Sequence, residues 1–290
     1  MEKLISVIGL TSSGKSSLGI ALAKEFGGEI VSADSRQVYK GLDWCSGKVT
    51  EEEQKMVKHH LLDVVNLGTQ FTLFDFQKMA YEKIDDIIAR NKIPFLVGGT
   101  GLYSRSVVEG YNLLEEKPDE EKRKELEKLS TEDLLKECEK VGAKVEGEIT
   151  RRRLIRAIEV ANGSKIPNSP KYKVLQIGVK WEREEIYQRI KERLEARMPH
   201  MIEEIKSLLA GGADKEFLKS LGLEAKFVVD LLDNKFENYE AFFEELFKEE
   251  RHFAKRQNTW YNKEQNVVWL DAKDNMVEKA KKLVQDFLAE

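Results

Sequence analysis

An α/β fold, in which helices flank a parallel sheet and a small helical lobe is inserted, is predicted by three observations in this 290-residue chain. Short apolar runs alternate with amphipathic stretches through the first third, and a further apolar run returns after residue 171. Turns rich in glycine or polar residues follow the apolar runs directly, at Gly9 to Ser16, at Asp34 and at Gly98 to Gly101. Composition shifts near residue 113 into a stretch dominated by Glu and Lys. Strands separated by helices favour a parallel sheet with right-handed crossovers. Ligands on such a sheet bind at the carboxyl ends of its strands, so the three turns are expected along one edge.

The elements follow in chain order. Leu4-Ile5-Ser6-Val7-Ile8 reads as the first strand, and Leu18, Leu22 and Phe26, spaced four apart, as the helix after it. Between them Gly9-Leu10-Thr11-Ser12-Ser13-Gly14-Lys15-Ser16 matches G-x-x-x-x-G-K-[ST], which makes the sheet P-loop NTPase-like. Glu29 to Asp34 reads as a short second strand with a functional end. Residues 71–90 read as a helix with an apolar stripe of Phe74, Met79, Ile84, Ile87 and Ile88. Ile93 to Val97 reads as a buried strand, broken by Gly98-Gly99. Leu114 to Glu148 reads as short helices of an inserted lobe that ends in the arginine-rich run Arg151 to Glu159. Pro167 and Pro170 mark a connector, and Val174 to Val179 is a strand returning to the core. The remainder is helical, turning at Gly211-Gly212, with a last strand at Val267 to Leu270 and a terminal amphipathic helix. The expected division is a core of residues 1–112 and 171–290 and a lobe of residues 113–170.

Composition narrows the class. Hydrophobic content of 41%, charged content of 34% and a net charge of −4 describe a globular protein without a global basic field. Any nucleic-acid surface is then a local patch. Cys45 and Cys138 are too few for a disulfide scaffold or a four-thiolate zinc site. No apolar leader precedes the first strand and no run approaches a membrane span, so a cytoplasmic enzyme without membrane contact is expected. His59 and His60 lack partners at metal-ligand spacing and are expected to be structural.

The chemistry starts at the P-loop. Its N–H groups and the following helix N-terminus make a concave positive site for oxyanions. Lys15 adds a point charge, and the Ser16 hydroxyl can ligate magnesium. Most P-loop hydrolases and kinases carry a magnesium acid at the end of an apolar strand. The best such strand here, Pro94 to Val97, ends in Gly98 instead. The acid that does follow a strand is Asp34, which points to work on an acceptor and leaves nucleoside triphosphate hydrolysis open.

Six blocks then carry a family resemblance: Gly9 to Ser16; Ser32 to Asp43; His59-His60-Leu61-Leu62-Asp63; Gly98-Gly99-Thr100-Gly101-Leu102-Tyr103; Arg153 to Val160; and Ala254-Lys255-Arg256-Gln257-Asn258-Thr259-Trp260. Together, in this order, they resemble the tRNA dimethylallyltransferases (tRNA isopentenyltransferases). The resemblance implies transfer of a dimethylallyl group from its diphosphate to N6 of the tRNA adenosine on the 3′ side of the anticodon. It implies Asp34 as general base, with Lys15 and Thr100 as the other catalytic residues. Thr11, Ser12, Ser13, Gly14, Lys15, Ser16 and Arg193 would hold diphosphate, with Mg2+ at Ser16 as the only cofactor. The anticodon stem-loop would meet Asp34, Ser35, Arg36, Gln37, Thr100, Arg123, Arg152, Arg153, Arg156, Lys255, Arg256 and Gln257. A bacterial type is implied, since no Cys/His finger is present, and a monomer is expected. The chain departs from the family in a short, highly charged lobe and in Ala225 and Phe227, where tyrosines are frequent. Three other readings stay open: an adenylate isopentenyltransferase acting on free nucleotides, a small-molecule P-loop kinase, and a non-catalytic RNA-binding module.

Overall fold

The computed structural model describes residues 1–113, 120–143, 145, 149–161 and 167–290. Two compact units emerge: Met1–Gly110 together with Pro170–Glu290, and Tyr111–Ser169. Among the described residues the larger unit holds β1 (Lys3–Gly9), β2 (Glu29–Ser32), β3 (His59–His60), β4 (Pro94–Gly98), β5 (Lys173–Lys180) and β6 (Val267–Asp271). They form one parallel sheet in the order β3-β2-β4-β1-β5-β6, with Ile5 registered between Phe95 and Leu175.

β2 and β4 are buried along their whole length, as is β1 beyond Lys3, the pattern of a parallel sheet covered on both faces. One face is covered by α1 (Lys15–Glu25) and the C-terminal helix, through Leu18, Leu22, Ala280, Val284 and Phe287 packed on Ile5, Val7, Phe95 and Ile177. After the short α2 (Glu51–Met56) come α3 (Leu73–Ala89) and α4 (Gly101–Val108). These cover the other face, with Phe76, Ala80, Ile84, Ile87, Tyr103 and Val107 against Leu4, Val31 and Leu96. α2 and α3 each start at a capping box, Thr50 with Glu53 and Thr72 with Asp75, which satisfies the otherwise orphaned N–H groups.

The stripe expected on α3 is rotated. Ile84 and Ile87 are buried as expected, and Met79 and Ile88 pack beside them, but the inner face continues through Ala80 and Phe76 and leaves out Phe74. The expected stripe left out Ala80, which is fully buried although small. The second strand stops at Ser32, two residues before Asp34, although Ala33 N still donates to Val97 O at 2.8 Å.

The smaller unit contains α5 (Glu120–Lys128), α6 (Thr131–Lys140) and α7 (Arg151–Val160). They close a small core of Leu126, Leu134, Cys138, Leu154, Ile155 and Ile158. In the larger unit the chain continues through α8 (Arg183–Ala210), α9 (Lys215–Ser220), α10 (Leu223–Leu232), α11 (Tyr239–Tyr261) and α12 (Met276–Ala289). α8 to α11 pack as a helical layer around Val38, Tyr39 and Leu42, the segment that leaves β2. Among the described residues no helix is long and apolar enough to cross a membrane.

The amino end of β2 carries a buried charge. Glu29 is 1% exposed. It accepts a two-pronged ion pair from Arg90 at 2.6 and 2.8 Å, a bond from Lys92 Nζ at 2.8 Å, and one shared with His60 Nε2 at 2.7 Å. His60 thus has the structural role expected of it. The Arg90 hydrogen bonds are the largest cause holding the Glu29 carboxyl well below its ordinary range, against the opposing cost of burial. A carboxyl lowered in the folded state adds stability above its unfolded value of about 4.5, and loses it as pH falls through the folded value.

Glu29→Gln is therefore expected to lower the unfolding free energy by about 2–4 kcal/mol at pH 7, below the upper end for broken buried pairs because Arg90 and Lys92 can reach water. Urea titration checks this, and the gap between variant and parent should narrow in acid.

Candidate active site

The P-loop is shaped by its own backbone and pinned from outside. Gly14 takes φ 88° and Ser12 φ 59°, so the chain turns its N–H groups inward before α1 begins. At Gly9 a Cβ would lie 2.7 Å from Ser13 Oγ, which leaves no room for a side chain. The loop's carbonyls are tied down by residues far along the chain. Trp181 Nε1 donates to Ser13 O at 2.8 Å and Arg189 Nε donates to Ser12 O at 2.9 Å. The Arg189 guanidinium stacks 4.4 Å from the Trp181 ring centre. Thr11 N donates to Gln257 Oε1 at 2.9 Å, and Gln257 Nε2 donates to Gly99 O at 3.0 Å. Tyr261 OH reaches the same carbonyl at 3.2 Å.

Two cations face this loop, and among the described residues neither forms an ion pair with a carboxylate. Among the described residues Lys15 Nζ donates to the Leu10 carbonyl alone, at 3.3 Å. Arg193 donates to Thr11 Oγ1 at 3.4 Å and to Gly47 O at 3.2 Å. Burial, then the charge of Arg193, lowers the Lys15 ammonium to about 8, with Asp34 opposing. Burial, then Arg197, lowers Arg193 to about 10. A dianion between them would relieve both.

Asp34 stands across the same space. Its Oδ1 accepts from Arg36 N at 2.9 Å and from Gln37 N at 3.4 Å, an Asx-type turn that fixes the carboxylate. Its Oδ2 accepts no protein hydrogen bond among the described residues. Thr100 braces the loop by accepting from Ser35 N at 3.0 Å. The glycine that ends β4 has a steric cause: a Cβ on Gly98 would lie 2.1 Å from the Ala33 carbonyl oxygen. That close approach brings Thr100 to Ser35 and explains why no acid occupies this strand end.

One cavity of about 550 Å³ is lined by Lys15, Ser16, Asp34, Thr100, Arg193 and Gln257, among others. Its size is that of a small-ligand pocket. A second, of about 1050 Å³, lies along the loop and is lined by Ser12, Lys48, Arg189 and Glu192 among others. Lys15, Ser16, Gly47 and Arg193 border both. Magnesium takes hard oxygen donors and keeps several waters. The Ser16 hydroxyl and the oxygens of a bound diphosphate fit that demand; among the described residues no three His, Cys, Asp or Glu side chains gather for a metal.

The structure thus brings Thr11 to Ser16, Asp34, Ser35, Thr100 and Arg193 together. Ser35, Arg36, Gln37, Arg256 and Gln257 also line the smaller cavity. Two residues expected at an RNA surface have their side-chain amides occupied inside the protein. Gln257 is only 9% exposed and spans Thr11 and Gly99. Gln37 accepts from Ser32 Oγ at 3.0 Å and donates to Gly47 O at 3.2 Å. Lys255 and Arg256 are exposed on α11. In the smaller unit Arg123 forms a two-pronged pair with Glu159 at 2.7 and 2.9 Å, and Arg156 joins the same carboxylate at 3.2 Å. Arg152 and Arg153 are exposed on α7. Ala225 and Phe227 are buried in the helical layer.

Sequence reasoning missed several residues. Arg189 and Arg197 flank the expected Arg193 at every fourth position on α8, a spacing that was visible. Gly47, at φ 59°, makes room for Arg193. Glu250 on α11 is 5% exposed, lines the smaller cavity, and is pushed up to about 8 by burial and then by Glu224. Nothing in the local sequence marks it as buried.

Comparison with known proteins agrees over the full length. The IPP transferase family model matches residues 37–264, and the Isopentenyl transferase model matches residues 2–71. The tRNA dimethylallyltransferase of Streptococcus agalactiae is 39% identical over 294 residues, covering 99% of this chain and 98% of the relative. The structure of the full-length tRNA isopentenylpyrophosphate transferase of Bacillus halodurans superposes with a TM-score of 0.76 at 33% identity, covering 99% of this chain and 96% of that one. A eukaryotic dimethylallyltransferase acting on tRNA shares the fold with a TM-score of 0.84 at 24% identity, over 100% of this chain and 80% of its own. By sequence over its full length and by fold, the chain belongs to the IPP transferase family, among the tRNA dimethylallyltransferases.

Proposed function

We infer that the protein transfers a dimethylallyl group from dimethylallyl diphosphate to N6 of the adenosine 3′-adjacent to the anticodon in tRNA, releasing diphosphate. The observation that carries this reading is the pairing, in one cavity, of an anion cradle with a fixed carboxylate whose Oδ2 is free to accept a proton.

The reaction exchanges one bond for another. The allylic C1–O bond breaks, its electron pair leaves with diphosphate, and the N6 lone pair forms the new C1–N bond. The N6 proton passes to Asp34. Charge builds on the departing diphosphate, where the loop amides, Lys15 and Arg193 are already oriented and partly shielded from water. Magnesium, held by Ser16, would neutralise part of that charge. Thr100 keeps the Asp34 loop in place through Ser35. Gln257 holds the P-loop against the β4 turn.

The acceptor base is stacked in its loop and must be extruded to meet Asp34. Arg36, Lys255 and Arg256 are positioned for the RNA near the cavity, and Arg152 and Arg153 of the smaller unit for phosphates of the anticodon stem. Arg156 and Arg123 serve that unit first by joining Glu159. We place the enzyme in the cytoplasm, acting as a monomer.

Asp34→Asn keeps an oxygen for the Arg36 and Gln37 amides, so the fold should survive. Single-turnover transfer to a stem-loop RNA is expected to fall about 10²- to 10⁴-fold, with RNA affinity within a few fold; a near-normal rate removes Asp34 as the base. Lys15→Ala should lower kcat/KM for the donor on the order of 10²-fold or more, and unchanged donor kinetics count against the cradle. With the free-enzyme ammonium at about 8, parent kcat/KM for the donor should fall as pH rises above that value, because the proton that holds the charge is lost. Mass spectrometry of tRNA nucleosides from cells lacking the chain should show loss of N6-isopentenyladenosine, and retention of that nucleoside removes the functional reading.

A further inference from the structure

Phe253 lies at the edge of the packing of the protein. It is 37% exposed on α11 and belongs to none of the apolar clusters among the described residues. It nevertheless lines the smaller cavity. The other apolar residues of that cavity include Val97, Cys45 and Tyr261, which are 6%, 4% and 2% exposed. Leu102, at the start of α4, is the second exposed one, at 41%.

Helix geometry locates Phe253 relative to the catalytic turn. Trp260 follows it by two turns on the same helical face and packs against Gly101, where an added Cβ would lie 2.4 Å from Trp260 Nε1. Phe253 is thus about 10.5 Å along α11 from the β4 turn. Leu102 stands next to Gly101. Two solvent-facing apolar side chains therefore border a cavity whose inner wall carries Asp34 and Thr100.

The surroundings are cationic. The Arg256 guanidinium lies 6.0 Å from the Phe253 ring centre, and Arg36 and Lys226 line the same cavity. An exposed aromatic ring carrying a guanidinium, beside cations, suits a base with its phosphate. Aromatic side chains stack on any base face, and the guanidinium adds attraction for the backbone.

We propose that Phe253, with Arg256, is a stacking platform for the nucleobase adjacent to the one that enters the cavity. The proposal rests on the tRNA reading above. Extruding the target base deprives its neighbour of a stacking partner, at a cost of a few kcal/mol. The ring supplies a replacement surface at the mouth, so the extruded arrangement is held without reading sequence. Phe253 does not touch the reacting atoms and is a positioning residue.

The test uses stem-loop RNAs with 2-aminopurine on one side or the other of the target adenosine, bound to the parent, Phe253→Ala and Phe253→Trp. At one of the two positions the parent and the Trp variant should quench the fluorescence of bound RNA, and the Ala variant should not. KM for the stem-loop should rise on the order of tenfold in Phe253→Ala, within the range of aromatic–base stacking. It should recover in Phe253→Trp, with KM for the donor held within about twofold throughout. Equal KM and equal fluorescence at both positions in parent and Phe253→Ala overturn the platform. A parent that modifies no stem-loop at all overturns the tRNA reading, a result distinct from a parent and an Ala variant that work equally well.

Discussion

A single glutamine amide holds together two loops from neighbouring strands, and the site depends on that link. Gln257 takes the Thr11 N–H with its oxygen and gives a hydrogen to the Gly99 carbonyl. Both partners sit at strand ends that must keep their spacing if an anion cradle and a carboxylate are to face one small substrate. α11 can place the amide there because Glu250, Ala254, Gln257 and Tyr261 share its buried face. The near contact of Gly98 with the Ala33 carbonyl acts in the same sense, keeping the Asp34 loop close to the β4 turn. Catalytic geometry is thus set by backbone approach and bridging amides, whose positions tolerate little drift.

The electrostatics follow from what this bracing encloses. Lys15 and Arg193 are partly buried and near each other, and among the described residues neither forms an ion pair with a carboxylate. Two positive charges brought this close repel each other, and a phosphate group between them would relieve that repulsion. Binding energy arises from a cost already present in the fold, as expected of preorganised sites. Arg189 and Arg197 extend the same helical row without entering it. One is stacked on Trp181, and the other is turned to the Trp44 carbonyl and Glu224.

Much of this was legible in the sequence because it is local. The P-loop pattern, the strand before it and the helix after it are contiguous, and so are the Asp34 segment and the Gly98 turn. The order of apolar runs implied the parallel sheet. What stayed hidden depends on distant pairing. The two-residue β3 is too short to leave a periodic signal, and it exists because β2 pairs with it. Gln257 reads as one polar residue in a basic stretch until its distance from Thr11 is known. The helix α8 runs through Pro199, where a local rule would stop it, because tertiary packing on both sides carries the chain across. The α3 stripe was placed off its true centre because small Ala80 weighs little in an apolar count yet is fully buried.

Glu29 opens β2 and Asp34 follows its end, a separation of about 16 Å along a rising strand. The charge knot that secures the sheet and the carboxylate we propose as the base therefore occupy opposite poles of one short segment. Lesions at the two poles should segregate into different phenotypes, poor accumulation on one side and sound but idle protein on the other. The loops at the working pole are correspondingly free to diversify toward new acceptors while the far pole keeps the molecule folded.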